Sequence, residues 1–451
     1  MSRYLAMALA AGCAPGNVEP TSTSVTAVPM TDPTMPPPTT DPTDATGTSG
    51  TVEPTTGDVG DPVGSREVDI LFVIDNSGSM GQVQQQIAKS IAAFVDVLEA
   101  PEAALDYRIA ITTSDNGNPR CPDVATTPES GKFVRSSCIG RVAEGEFMYL
   151  GQDYSAACTS YCSRSDDELE VLPTTTTLDG QAAPRMWVER TGGQLNIVGA
   201  SATEALQCYL PQGVTGCGFE SQLESMYLAL VRSNDQLAPT NYGFLRDTAQ
   251  LVVVIVSDET DCSGNPAAKE IFTTNKVFWN SPDDPAPTSS LCWHAGVACS
   301  GSSPYSECHA ENFALTGQPG ASDAGAALLP TRKYVDYVKM IEKARQNFDP
   351  NLRVKVSLIT GVPVGYDGLS AELVYADAAD PDYQEIFGIG PGCVVGDPQA
   401  PDAAAVPPVR EREFAEAFTL EPAAHRNLYS ICAKDYAGAL TAIATEIVDA
   451  L

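Results

Sequence analysis

Asp75, Ser77 and Ser79 place an oxygen donor on every second residue of one short segment. If that segment is extended, alternate side chains can point the carboxylate and both hydroxyls toward one position. Gly78 and Gly81 allow the backbone to turn tightly around it. One carboxylate with two neutral hydroxyls is a hard oxygen set suited to Mg²⁺, Mn²⁺ or Ca²⁺. The spacing therefore predicts a site for one divalent cation, with Mg²⁺ as the preferred candidate.

A second acidic segment, Ser257 to Cys262, follows the most apolar stretch of the chain. Ligands of open α/β sheets bind where neighbouring strands end, so we expect Asp258 to reach the same cation, directly or through water. The loop 213–220 should lie opposite the first segment. Asp258, Glu259 and Asp261 could also hold a second ion, although a solvated acidic loop is the reading we favour.

Alternating strands and helices are expected to position these segments. Apolar runs predict strands, and apolar stripes with helical spacing predict helices. The predicted strands are 68–74, 107–113, 251–256 and 354–359, and the predicted helices are 81–99, 221–233, 334–348 and 437–451. This rhythm indicates an α/β fold, with a doubly wound, mainly parallel sheet flanked by helices.

Thirteen cysteines point to an oxidising compartment. Apart from Cys13 they number twelve, which permits six disulfides, and Cys393 is a plausible partner for Cys432. Two long insertions, at about 114–200 and 262–330, interrupt the strand–helix rhythm, and disulfides would stabilise them. A zinc cluster is the alternative for one group of residues, which comprises Cys292, His294, Cys299, Cys308 and His309.

The N-terminal region divides into a leader and a linker. Residues 1–13 have one arginine, an apolar run and small residues before Cys13. This pattern resembles a bacterial lipoprotein signal peptide that ends at a lipidated cysteine, and the run is too short to span a bilayer. Residues 14–65 are rich in Thr, Pro and Asp, without Lys, Arg or aromatic residues. We expect this segment to be a disordered tether.

Composition limits the classes of function. The net charge is −32, from 26 basic and 58 acidic residues, so electrostatic repulsion disfavours nucleic acid and anionic lipid surfaces as partners. Acidity also keeps exported proteins soluble. Only three histidines are present, and none lies near the acidic segments. A hydrolase that uses Ser77 or Ser79 as nucleophile would lack a nearby base, so we expect no enzymatic activity.

The first segment, placed after an apolar strand, resembles the metal-ion-dependent adhesion site of von Willebrand factor A domains, including integrin inserted domains. Asp258 takes the place of that family's later aspartate. The segments 68–80, 216–220, 241–246 and 256–263 together resemble a group of cysteine-rich bacterial lipoproteins that contain this domain. The resemblance covers most of residues 66–451 and implies a Rossmann-like domain that binds one divalent cation.

The middle loop departs from the family pattern, which supplies a threonine to the metal. Here Glu220 leads into the helix and Thr215 lies further back, so either is a candidate ligand. If Glu220 coordinates, the site holds metal more tightly and attracts an acidic ligand less. Cys432 precedes the last helix, which slides in integrin-type relatives when ligand binds. A disulfide there would resist sliding and keep the site permanently competent.

These patterns lead to three hypotheses. The first is a lipid-anchored surface protein of the bacterial envelope, at the outer membrane or cell surface, that binds a protein ligand when an acidic side chain completes the metal site. The second is an envelope scaffold or assembly protein whose metal is structural. The third is a hydrolase. The sequence identifies neither the partner nor the oligomeric state.

Overall fold

The computed structural model describes residues 66–103, 105–121, 126–397, 400–419 and 425–451. The predicted leader, including Cys13, and the predicted linker 14–65 lie outside the described residues. No helix within the described ranges is long and apolar enough to cross a membrane.

A seven-stranded sheet forms the centre of the fold. Its strands are β1 (Glu67–Ile74), β2 (Asp106–Thr113), β3 (Trp187–Thr191), β4 (Gln194–Leu195), β5 (Gln250–Val256), β6 (Lys355–Thr360) and β7 (Leu428–Ser430). Their order is β7-β6-β5-β1-β2-β3-β4. Five strands, from β7 to β2, run parallel, and β3 and β4 extend the sheet in antiparallel fashion.

Helices cover both faces of the sheet. They are α1 (Gly81–Leu98), α2 (Ala202–Tyr209), α3 (Gln222–Arg232), α4 (Thr331–Arg345), α5 (Val409–Glu416) and α6 (Ala437–Asp449). Alternate residues of β1 point to opposite faces. Phe72 packs in one core with α1, α2 and α6, whereas Leu71 packs in the other with α3, α4 and α5. Burial on both faces explains the continuous apolar run of β1 from Ile70 to Ile74.

The predicted insertions contain small, disulfide-linked elements. Short helices occur at Cys138–Glu144, Ala156–Thr159 and Ser290–Gly296, and a further one at Pro381–Phe387. Two-stranded pairs occur at Met148–Tyr149 with Gln152–Asp153, Pro173–Thr174 with Ala183–Pro184, and Val297–Ser300 with Glu307–Ala310. A further pair, outside the insertions, joins Cys393–Asp397 with Ala400–Ala405. Single 3₁₀ segments occur at Asp166–Glu168, Pro266–Phe272, Lys276–Phe278 and Asp323–Gly325.

Six disulfides form, as the even cysteine count permits. The pairs are Cys121–Cys217, Cys138–Cys158, Cys162–Cys208, Cys262–Cys292, Cys299–Cys308 and Cys393–Cys432. The expected pairing of Cys393 with Cys432 is confirmed. Cys292, Cys299 and Cys308 are all oxidised, which leaves no thiolate for the alternative zinc cluster.

The sheet differs from the sequence expectation at its two edges. β3 and β4 come from the first predicted insertion, so that segment is partly integral to the sheet. β7 has only three residues and was not predicted. The expected neighbour relation between β1 and β5 is confirmed, since the two strands pair in parallel from Val68 to Ile74.

Candidate metal centre

Asp75 lies at the end of β1, next to the end of β5. Its backbone N–H donates to the Val256 carbonyl at 3.0 Å, which ties the loop after β1 to the neighbouring strand. The chain leaves β1 toward β2 on one side and leaves β5 toward β6 on the other. The two loops therefore flank the point where strand order reverses, which is the usual ligand position in open α/β sheets.

Both carboxylate oxygens of Asp75 accept hydrogen bonds. The Ser77 N–H donates to Oδ1 at 2.8 Å, and the Ser257 hydroxyl donates to Oδ2 at 2.6 Å. The Gln84 amide donates to the Asp75 carbonyl at 3.0 Å and to the Gly213 carbonyl at 2.7 Å, so α1 and the middle loop support the same turn. Asp75 is thereby held rigidly, with its carboxylate at the strand end.

The two serines connect Asp75 to Asp258. The Ser77 and Ser79 hydroxyl oxygens lie 3.2 Å apart, and the Ser79 hydroxyl donates to Asp258 Oδ1 at 3.1 Å. The structure thus brings together the four residues that the sequence singled out most strongly. We refer to Asp75, Ser77, Ser79 and Asp258 as the candidate metal centre.

A cavity of about 40 Å³ opens beside this centre. It is lined by Ser77, Gly78, Ser79, Tyr149, Gly216, Gly218, Asp258, Glu259, Phe387 and Ala404. This volume exceeds what a single water molecule requires. Its polar side chains offer hydroxyl and carboxylate oxygens, and none of the described residues that line it is basic. The donor set fits a hard divalent cation.

Glu220 lies behind the centre and is only 1% exposed. The Ser114 hydroxyl donates to its Oε2, while its Oε1 has no hydrogen-bond partner among the described residues. Burial, followed by the charges of Asp75 and Glu259, raises the pKa of Glu220 well above its usual range. Glu220 therefore belongs to the electrostatic environment of the centre.

Thr215 is not brought to the centre. Its side chain is exposed and lines a different cavity, together with Asn76. Of the two middle-loop candidates, only Glu220 is electrostatically linked to Asp75.

Sequence reasoning missed the contribution of Ser257 and considered Glu259 only for a possible second ion. Ser257 donates to Asp75 and accepts from the Gln222 amide at 2.7 Å. Glu259 lines the cavity, and the Ser289 hydroxyl donates to its Oε2 at 3.2 Å. Both residues flank Asp258 in the acidic segment, so their position in the sequence was the available signal.

Four buried carboxyl groups therefore surround one small region. Burial raises the pKa of Asp75, and burial with the charge of Asp75 raises the pKa of Asp258 to about 7. Burial, together with the charges of Asp258 and Asp75, also raises the pKa of Glu259 well above its usual range. Buried carboxylates are costly without an opposite charge, so a bound cation would stabilise their ionised forms.

Asp261 serves a different purpose from its neighbours. Its carboxylate pairs with the buried Arg410 guanidinium at 3.1 Å and accepts the Ser263 hydroxyl at 2.6 Å and the Leu223 N–H at 3.0 Å. These contacts join α3, α5 and the loop after β5. Asp261 therefore has a structural ion pair, which makes it a poor ligand for a second cation.

Aromatic rings from the first insertion cover the loop after β1. A Cβ atom on Gly78 would lie 2.1 Å from the Tyr149 ring, and one on Gly81 would lie 2.3 Å from the Tyr154 ring. A side chain at either position would have to displace the ring, because the rings occupy that space. Tyr149 lies on a short hairpin with a two-residue turn, and both turn residues, Leu150 and Gly151, have positive φ. The hairpin closes one side of the cavity.

Comparison with known proteins gives a weak resemblance. No protein-family model and no curated protein matches the sequence. The fold is similar to the pilus adhesin SpaC from Lactobacillus rhamnosus GG in its open conformation, with a TM-score of 0.31 and 10% identity over 86% of this chain and 30% of that chain. A second structure of SpaC gives the same TM-score and identity, over 86% of this chain and 31% of that chain. The chain spans less than a third of the adhesin, and a likeness at this level carries no weight for function.

Proposed function

We propose that this chain is an exported surface protein with a von Willebrand factor A-type domain that binds one divalent cation at Asp75, Ser77, Ser79 and Asp258. The cation would be Mg²⁺ in the first instance. Through it the protein would bind a protein ligand whose acidic side chain completes the coordination. Glu220 lies close to the same position and would add a negative charge if it ionised.

The observation that carries this proposal is the convergence of Asp75 and Asp258 beside one small cavity. The two residues are 183 positions apart in the chain but follow adjacent parallel strands. Ser79 links them, with its hydroxyl 3.1 Å from Asp258 Oδ1. Oxygen donors without a basic neighbour in the cavity lining are the set expected for a hard cation.

Calorimetric titration of the apo protein with Mg²⁺, Mn²⁺ and Ca²⁺ tests the cation site directly. We expect saturable binding with one ion per chain, and loss of that binding in Asp75→Ala. Asp96→Ala is the matched control, because Asp96 is exposed near the C-terminal end of α1, whereas the candidate metal centre lies at the N-terminal end of that helix. Absence of binding to the folded wild type, or unchanged binding by folded Asp75→Ala, would refute the proposal.

A structural cation is the second candidate function. Tyr149 packs directly on Gly78, and Phe387 and Ala404 line the cavity from another direction. A cation enclosed in this way would brace the loop without meeting a partner. Partner capture that is abolished by chelator while the fold stays intact supports the adhesive function. Capture that is insensitive to chelator supports the scaffold.

We also propose that residues 1–13 direct export, that Cys13 carries the acyl chain, and that residues 14–65 tether the domain to the envelope. Expression in a bacterium with a labelled fatty acid tests this, with Cys13→Ser as the comparison. Label on the wild type and none on Cys13→Ser is the expected result. An unlabelled wild-type protein would refute the lipid anchor and leave the cation site unaffected.

A further inference from the structure

A second and larger cavity lies beside the loop that carries the candidate metal centre. Its volume is about 490 Å³, and we call it the polar cavity. Gly216 lines both cavities, whereas Asn76, between Asp75 and Ser77, lines the polar cavity only. The Gly216 N–H donates to the Asn76 carbonyl at 2.8 Å, so these two residues form a shared wall. The first insertion supplies most of the remaining lining.

Acidic residues predominate in the lining of the polar cavity. Glu129, Glu144, Glu146 and Asp166 are acidic, and Arg141 is the one basic side chain among the described residues of the lining. Arg141 is already engaged through both terminal nitrogens, since its guanidinium lies 2.6 Å from Glu146 and 4.0 Å from Glu129 and donates to Gln212 at 3.1 Å. The cavity therefore has an excess of negative charge that its own arginine does not balance.

Two buried oxygen atoms in the lining lack partners. Asn76 is 6% exposed and Thr126 is 7% exposed, yet neither Asn76 Oδ1 nor Thr126 Oγ1 has a hydrogen-bond partner among the described residues. A buried acceptor without a donor is costly. Burial also raises the pKa of Glu129 although the Arg141 guanidinium lies nearby, and a further cationic group would reduce that penalty. Unpartnered acceptors and surplus carboxylates together favour a ligand that is cationic and rich in N–H donors.

We propose that the polar cavity binds a guanidinium group, such as an arginine side chain of a protein ligand. A guanidinium has five N–H donors in a planar arrangement, which suits several acceptors that surround a wide cavity. A metal ion is a poorer fit. Among the described residues, the only three-residue cluster of His, Cys, Asp or Glu with ligand atoms within 4.8 Å of one another is Cys138, Cys158 and Cys162, outside this lining. This inference goes beyond the cation site and does not depend on it.

Titration with Nα-acetyl-arginine amide tests the proposal, with Nα-acetyl-citrulline amide as a neutral compound of nearly the same shape. Both are titrated into the whole protein in EDTA, so that failure of the cation site does not affect the result. We expect the arginine compound to bind at least about tenfold more tightly, because hydrogen bonds to charged groups are the stronger ones. Equal affinities, or no binding of either compound, would overturn the proposal.

Two variants locate the binding. Glu144→Gln removes an exposed carboxylate of the lining, and Glu129→Gln removes a half-buried one. Each should weaken arginine binding by about three- to tenfold and leave citrulline binding unchanged. Asp96→Asn on α1 is the control and should have no effect. If Glu129→Gln fails to fold, Glu144→Gln still decides, and wild-type affinity in that variant would refute the assignment to this cavity.

Discussion

Acidification should release the cation from the candidate metal centre, because Asp258 titrates near neutral pH. Burial and the charge of Asp75 raise its pKa from 3.8 to about 7. A cation binds the ionised carboxylate, so below pH 7 each binding event must displace a proton. One displaced proton lowers the apparent affinity about tenfold per pH unit well below the pKa, which amounts to about 50-fold between pH 7 and pH 5 because the group is half ionised at pH 7. The raised pKa of Asp75 would steepen this dependence.

Calorimetry with Mn²⁺ at pH 5, 6, 7 and 8 measures this slope, and buffers of different ionisation enthalpy count the protons released. In Asp258→Asn the affinity should be lower and its slope shallower by about one proton. Asp96→Asn should follow the wild type. An apparent affinity that stays constant from pH 5 to pH 7, in a protein that binds the ion, would refute the claim that Asp258 is a ligand with a raised pKa.

Three further predictions concern the scaffold around the centre. Burial raises the pKa of Glu411 from 4.5 to about 8. The folded protein therefore holds this proton more tightly than the unfolded chain, and the resulting stabilisation is complete below pH 4.5 and is lost as the pH rises through 8. The melting temperature of the EDTA-treated protein should fall over this range. Gly78→Ala should lower the free energy of unfolding by about 1–3 kcal/mol, because its Cβ would overlap the Tyr149 ring, and denaturant titration would measure the loss. Replacing Cys393 and Cys432 together by serine should cost about 2–4 kcal/mol and increase hydrogen exchange in α6.

Each of these predictions has a control. Glu411→Gln should flatten the pH dependence of the melting temperature, and an unchanged slope would contradict the assignment. Gly438→Ala should be close to neutral or slightly stabilising, because a Cβ there meets nothing within 4 Å, and Gly78→Ala should cost less when Tyr149→Ala is also present. In the wild type, which keeps the Cys393–Cys432 disulfide, the rate of hydrogen exchange in α6 should be the same before and after Mg²⁺ and ligand bind. Ligand-induced exposure of α6 would disprove a fixed last helix.

The centre of the fold was predictable because its signals are local. From Val68 to Ile74, β1 is apolar at every position but Asp69, and α1 carries its apolar residues on one stripe, so both were assigned to within one residue. The meeting of Asp75 with Asp258 followed from the rule that parallel strands end at the same edge of a sheet. Asp69 interrupts the apolar pattern of β1. Its burial is explained by ion pairs with Arg246 and Arg345, which lie far away in the sequence, so the local pattern could not predict it.

The remaining features depend on contacts between distant segments. β3 is short and lies within a cysteine-bearing insertion. It pairs with β2 in antiparallel fashion, so neither its length nor the alternation of strands and helices identified it as part of the sheet. The position of Tyr149 over Gly78 depends on how the disulfide-linked first insertion folds back. The burial of Glu220 depends on packing around Ser114. Hydrophobic periodicity carries no information about such long-range packing.

The charge of the centre decides which partner it can bind. If Glu220 and Glu259 keep their protons when the cation binds, Asp75 and Asp258 balance its two positive charges, and a further acidic ligand meets a neutral site. If all four carboxyl groups ionise, the centre retains two negative charges, which repel an acidic ligand and favour a tightly held structural ion. Their raised pKa values favour the first case, since burial penalises each additional charge. The number of protons released per bound cation therefore distinguishes an adhesive centre from a structural one before any partner is identified.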